Sequence, residues 1–300
     1  MGQGLGMRNQ DGQSLVDARL LNLGLALKNG TFTETTKSYG LGLVNNKFNS
    51  LLSDLLPTLE TSIGVNEDRE VEFGILGVQP ITNYTKESKD VVLYQGSFFI
   101  SNSERYTVNN GVVYRKITGD EKFIYGVNIF YDHEFPIGHK RMSLGGEFKS
   151  TMLDVNINHY MPLSDWRNGV NDVAEKAQTG TTLELVTPIP YLPRLNASVM
   201  YSKWESSFGL SDANSITFGI HGAIYAGLGF EFKRRISDQL GNVSSGMLIY
   251  TFRGNNKDFT KPFFSSQAYI KDSMRERMLE KVRRENIIRS EVDGLQIEVR

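Results

Sequence analysis

Between residues 59 and 252 apolar and polar side chains alternate with a period of two. Met142, Leu144, Gly146 and Phe148 interleave with Arg141, Ser143, Gly145 and Glu147. Leu153, Val155, Ile157, His159 and Met161 interleave with Asp154, Asn156, Asn158 and Tyr160. Phe123 to Tyr131 and Ile224 to Phe232 behave the same way. Alternation sustained over that length predicts β-strands with one apolar and one polar face. Runs bounded by turn signals predict strands over 59–66, 70–78, 91–103, 106–117, 121–133, 138–148, 151–162, 179–189, 194–205, 214–221, 224–234 and 242–252. Twelve is an even number, as in single-chain bacterial barrels, and closure would remove exposed sheet edges.

The two ends follow a different period. Leu41, Val44, Phe48, Leu51, Leu52 and Leu55 recur at helical spacing until Pro57 stops them, so residues 1–58 are expected to be a helical, periplasmic segment. Residues 266–286 are polar on every side and predict a charged helix over a linker region 253–300, with a reversal at 253–256. At 1.5 Å per residue that helix would be about 30 Å long, the apolar thickness of a bilayer. It is expected to thread a wet lumen lined by Arg141, Glu147, Asp154, Asn156 and Glu231, since its charges would be prohibitive in lipid.

Alternation alone fits a soluble sandwich and a membrane barrel equally. Two features favour the barrel spanning 59–252. Several strands reach ten residues or more, beyond the length usual in globular sheets, and Tyr106, Tyr114, Phe123, Tyr131, Tyr160, Trp204 and Tyr250 gather near strand ends as an interfacial girdle would. The longest connection, 163–178, and those at 205–213 and 237–241 leave the same end. Short turns are expected at 118–120, 149–150 and 222–223. With long loops outside, the first strand would run outward from the periplasm.

Composition narrows function. The 33 basic and 34 acidic residues cancel, which disfavours a nucleic-acid partner, and the basic tail is interleaved with Glu276, Glu280 and Glu285. There is no cysteine, hence no disulfide or thiolate metal site, and no apolar run of eighteen residues. Residues 1–30 do not read as a secretory signal. Asp132, His133, Glu134, His139 and His159 lack metal-ligand spacing, and no G-x-S-x-G elbow is present. A barrel phospholipase would need serine and histidine on one face, whereas Ser143 and His159 fall on opposite faces. No catalytic, metal or cofactor residue is assigned, and no enzyme or cofactor is expected.

Residues 125–169 carry a resemblance. Gly126, Asn128, Phe130, Tyr131 and Asp132 precede Gly138, His139 and Arg141; then come Leu144, Gly145, Gly146 and Glu147, and finally Pro162, Leu163, Ser164 and Trp166. This succession resembles the β-domain of inverse autotransporters, the intimin/invasin family. Pro188 to Pro193 resembles that family's proline-and-tyrosine turn, and Val282, Arg284, Asn286 and Ile288 resemble the V-x-R-x-N-x-I after its linker. The tryptophan and G-T-A-R run expected before the first strand are absent, and no passenger is visible by Arg300. The resemblance implies an outer-membrane translocator that exports and displays a C-terminal passenger for adhesion or invasion. The partners it implies are outer-membrane lipid, the barrel-assembly machinery and, through a passenger, a receptor on a host or neighbouring cell. The alternative is a stand-alone barrel, a porin or structural anchor without cargo.

Overall fold

The computed structural model describes residues 58–101, 105–169, 172–207, 212–225, 227–252, 261–270 and 273–292, with the backbone of 295–299. The helical expectation for 39–55 and the reversal at 253–256 lie outside these residues.

Twelve strands close a barrel. They are β1 (Thr58–Asn66), β2 (Val71–Pro80), β3 (Asp90–Ile100), β4 (Tyr106–Ile117), β5 (Ile124–Phe135), β6 (Lys140–Lys149), β7 (Asp154–Pro162), β10 (Gly180–Ile189), β11 (Leu192–Trp204), β12 (Ala213–Tyr225), β13 (Leu228–Ile236) and β14 (Val243–Thr251). Neighbours pair antiparallel around the ring, and β1 closes it against β14 with Glu60 opposite Thr251 and Asn66 opposite Ser245. The longest connection holds two short strands, β8 (Arg167–Asn168) and β9 (Ala174–Ala177). These join β15 (Ser290–Val292) and β16 (Leu295–Val299) in a second sheet ordered β16-β15-β9-β8.

The faces are inverted relative to a soluble protein. Val127, Leu144 and Ile157 point outward at 59%, 49% and 48% exposure, while Asn109, Arg115, Asp132, Arg141 and Asn156 point inward and are buried. Strands of 9–13 residues with apolar side chains outside and charges inside suit a bilayer. At the proximal end, where β1 begins and β14 ends, the connections 118–123, 150–153, 190–191 and 226–227 are short. The distal end carries 163–179, 205–212 and 237–242.

Two expectations are corrected. The turn predicted at Gly222–Ala223 lies instead around Gly227, which has φ +92°; β12 continues through Gly222 and Ala223, opposite Phe230 and Gly229. A Cβ at Gly227 would sit 2.8 Å from the Thr251 carbonyl oxygen, so the position needs glycine for both space and conformation. The predicted helix over 266–286 does not form either. The described part of it holds a single 3-10 turn, Glu276–Leu279, and is otherwise irregular or extended. A helix with its side chains is about 10–12 Å wide. The β4–β7 side of the lumen is already occupied by Arg115, Phe130, Arg141 and Tyr160, all buried, which narrows the space such a cylinder could take.

Candidate functional site: the chain inside the lumen

The segment from Met274 to Val292 runs through the barrel from its proximal to its distal end. At the proximal mouth Arg275 bonds Glu121 (2.5 Å) and the Ser88 carbonyl (2.7 Å), and Tyr84 Oη donates to the Arg275 carbonyl (3.0 Å). The 3-10 turn follows. Its Met278, with Met274 and Val282, packs into the apolar cluster formed by Leu76, Leu93, Val113 and neighbours on β2–β5. Arg277 bridges Asp154 (2.5 Å), Glu280 (3.0 Å) and the Ser150 carbonyl (2.7 Å).

Beyond Leu279 the backbone has no secondary-structure partner, so the wall satisfies it instead. Arg115, clamped by both oxygens of Glu147 (2.9 and 3.0 Å), donates to the carbonyls of Met278 (2.9 Å) and Glu280 (2.5 Å). Gln95 accepts from Val282 N (2.7 Å), and Tyr160 Oη accepts from Glu285 N (2.8 Å). Asn158, Asn109 and Arg141 donate to the carbonyls of Arg283, Asn286 and both Glu285 and Ile287, respectively. Each bond to a wall side chain replaces one that a helix would have made internally.

Side chains of this extended segment alternate across the lumen. Val282 and Arg284 turn toward β3–β7. Arg284 meets Asp132 with both nitrogens (3.0 and 2.6 Å), donates to Ser143 (3.1 Å) and stacks over Phe130 (4.3 Å to the ring centre). Asp132 is shared with Arg141 (2.8 Å) and Asn109 (2.8 Å). Phe130 fits there because residue 111 is glycine; a Cβ would lie 2.2 Å from its ring. Lys281 and Arg283 face the other way, Lys281 pairing with Glu60 and Arg283 with Glu184 (2.8 Å) and Glu231 (3.1 Å). Opposite charges thus meet all along the path, as burial of ions requires.

The segment does not fill the β10–β14 side. Cavities of about 270 and 240 Å³ open there, toward the distal and proximal ends respectively, and both are lined by Glu60, Glu231, Lys281 and Arg283.

At the distal end the longest connection clasps the emerging chain. Ser290, Glu291 and Val292 pair with Ala177, Lys176 and Glu175. Gln178 N bonds the Arg289 carbonyl (3.0 Å), and the Ser206 hydroxyl and Ser207 amide bond the Glu291 carboxylate (3.1 and 2.9 Å). Behind β9, buried Glu175 ion-pairs with Arg105 (2.8 Å) beside His139 (3.6 Å) and accepts from Ser290 (3.2 Å). Burial raises the Glu175 carboxyl, but His139 and the Arg105 guanidinium outweigh it and hold the group below the ordinary carboxylate range.

Of the residues assigned to the lumen from sequence, Arg141, Glu147, Asp154 and Glu231 each touch the inner chain or the arginine that does. Asn156 is buried on β7, and its side chain makes no hydrogen bond among the described residues. In the V-x-R-x-N-x-I motif, Val282 packs in the apolar cluster, Arg284 carries the ion pairs, the Asn286 carbonyl accepts from Asn109, and Ile288 is fully buried. Sequence reasoning assigns no lumen role to Glu60, Gln95, Arg115, Asp132 or Glu184. Their signal is parity, since each shares the inward phase of an assigned neighbour through the strand register. His133 turns outward onto Phe135 (ring centres 4.0 Å apart) while Asp132 turns inward, and among the described residues no group of three His, Asp or Glu side chains is arranged to hold a metal. Ser143 is buried beside Arg284, whereas His159 faces outward and bonds Thr181 (2.9 Å).

Comparison with known proteins agrees with this geometry. The inverse autotransporter β-domain family matches residues 22–286. An Escherichia coli K12 protein described as a putative attaching and effacing protein homolog is 23% identical over 186 residues, which is 61% of this chain and 62% of that protein. The inverse autotransporter adhesin YeeJ of the same strain is 24% identical over 77% of this chain and 10% of its own length. Invasin of Yersinia enterocolitica is 24% identical over 48% of this chain and 18% of its own length. The chain therefore spans under two thirds of each of these relatives. A structure solved in work on in-meso crystallization of membrane proteins shares the fold with a TM-score of 0.62 at 19% identity, covering 79% of this chain and all of that one. The family is one of translocator and adhesin barrels rather than a known enzyme class. With a closed twelve-stranded barrel, an apolar outer wall and a family match across most of its length, the chain belongs to the inverse autotransporter β-domain family and resides in the outer membrane.

Proposed function

We propose that this barrel exports a C-terminal passenger and then holds it at the cell surface, with the proximal end in the periplasm and the distal end outside. The observation that supports the reading is the return of residues 274–292 through the lumen to a clasp built by the longest connection. Both termini of an even-stranded barrel leave from one end, so a C-terminal passenger must cross the membrane a second time to reach the other. A polar, ion-paired lumen gives such a crossing a route that lipid would refuse. Exported cargo then stays attached because the segment that led it out is held by the wall.

In this reading residues 59–252 are the membrane domain and 253–300 the linker, while residues 1–58 stay periplasmic. The barrel-assembly machinery would insert the strands. A receptor on a host or neighbouring cell would be met by the passenger and not by the barrel. The test is a soluble reporter fused after Arg300, probed by antibody on intact cells, beside an epitope in the 118–120 turn. The reporter should be accessible and the turn epitope hidden until the outer membrane is permeabilised. A reporter hidden in cells whose barrel runs as a folded, heat-modifiable band would overturn export, and an exposed turn epitope would overturn the orientation.

A further inference from the structure

The stretch just before the chain turns into the lumen stands at its proximal mouth, where Lys261, Ala268, Tyr269 and Ile270 border the smaller cavity. Residues 261–270 lie against the rim at the β10–β11 turn, fixed by backbone. Tyr191 N donates to the Ala268 carbonyl (2.9 Å) and Ser265 N to the Tyr191 carbonyl (3.0 Å). Arg194 donates to both the Lys261 carbonyl (2.5 Å) and the Ile224 carbonyl at the end of β12 (3.0 Å). Ser266 and Gln267 are exposed, as polar residues at a rim should be, but so are the large apolar Phe263 and Phe264, packed edge to face (5.0 Å) at 46% and 74% exposure.

Their surroundings identify what covers them. Tyr191, Ile224 and Tyr225, which the same hydrogen bonds bring to this rim, are themselves outward-facing and exposed, Tyr225 at 75%. Tyr114, Tyr125 and Tyr250 face outward at the same end of other strands, so the proximal rim carries a belt of tyrosines. Such a belt sits at headgroup level, where an aromatic ring has an apolar body in the acyl boundary and a polar tip in water. The two phenylalanines extend that belt with a segment that is not part of the barrel wall.

We propose that residues 261–270 form an interfacial foot, with Phe263 and Phe264 inserted in the phospholipid headgroup–acyl boundary at the proximal rim. The foot fixes the chain on the β10–β12 side of the mouth before it crosses to Glu121 and Ser88 on the opposite rim. Its occupant is lipid because the patch continues the lipid-facing wall.

The chain has no cysteine, so a single thiol reports cleanly. Phe264→Cys, Tyr225→Cys and Lys122→Cys would each carry a nitroxide in the full chain, refolded in phosphatidylcholine–phosphatidylethanolamine vesicles. The ratio of oxygen to aqueous nickel accessibility at 264 should match that at 225 and exceed that at 122 severalfold. Because the label at 264 replaces one of the two rings, Ser266→Cys is read with both rings intact and again with Phe263→Ser and Phe264→Ser. Loss of the rings should shift residue 266 toward nickel. Nickel-dominated accessibility at 264 would overturn the proposal. Protection from both reagents would also overturn it, by showing that protein covers the patch.

Discussion

Asp132→Asn tests whether the inner chain is held by the buried ion network. Asp132 is fully buried and takes both Arg284 nitrogens, Arg141 at 2.8 Å and Asn109 at 2.8 Å. Neutralising it leaves two guanidinium groups, Arg141 and Arg284, both at 0% side-chain exposure with no carboxylate between them. Removing one member of a buried ion pair costs about 3–5 kcal/mol, and two stranded cations place this change at the upper end. Arg284→Met should cost less, about 3 kcal/mol, because Asp132 keeps Arg141 and Asn109 while the thioether still covers Phe130. If the two residues act together, the double variant should be more stable than the sum of the single losses by about 2 kcal/mol. Urea unfolding in detergent micelles, followed by gel mobility and by Trp204 fluorescence, measures all four proteins. Trp204 suits the purpose because Arg289 of the inner chain stacks on it at 4.9 Å. An Asp132→Asn protein within about 1 kcal/mol of the parent, with residues 280–292 equally protected from protease, would refute the network as the anchor.

Other consequences are testable in simpler ways. Lys or Arg at Leu144 or Ile157, both outward near mid-strand, should cost about 2–4 kcal/mol of barrel stability, whereas Ser245→Glu, facing the larger cavity near Lys233, should stay within about 1 kcal/mol. Deleting 258–300 should convert a weakly conducting protein into an open channel in a planar bilayer. Arg283→Ala should give a smaller rise by joining the two cavities, and equal conductance in all three would sink the plugging of the lumen. The Glu121 carboxyl is held below its ordinary 4.5, chiefly by its hydrogen bond from Arg275. A depressed carboxylate stabilises the folded contact above the unfolded-state value and loses that contribution as pH falls through the folded one. Protease cleavage between 274 and 279 should therefore rise as pH drops below about 4.5, and Glu121→Gln should remove that dependence.

The barrel wall was legible because its signal is local. Each strand places lipid on one face and a wet lumen on the other, so a period of two survives in Arg141–Phe148 or Leu153–Met161 whatever the neighbours are. The same parity marked Arg141, Glu147, Asp154, Asn156 and Glu231 as inward. The turn near 222–227 was less legible, because glycine stands at 222, 227 and 229; only the pairing of β12 with β11 and β13 decides which one reverses the chain.

What the sequence determined alone was therefore a two-faced sheet long enough to span a bilayer and, through the succession Gly126 to Trp166, its family. The conformation of the inner chain was decided by tertiary structure. Residues 276–286 are charged all round, which in isolation reads as an ion-paired helix. Their spacing of two in Val282, Arg284, Asn286 and Ile288 becomes meaningful only when two different walls stand opposite each other. The backbone there is satisfied by Gln95, Arg115, Asn109, Arg141 and Tyr160, between 125 and 187 residues away in sequence. The β9–β15 clasp joins segments 113 residues apart at Ala177 and Ser290. Helical hydrogen bonds are written within four residues of the chain, whereas these depend on closure of the barrel. Once closed, it lines the path of the inner chain with side-chain donors and acceptors that satisfy an extended backbone.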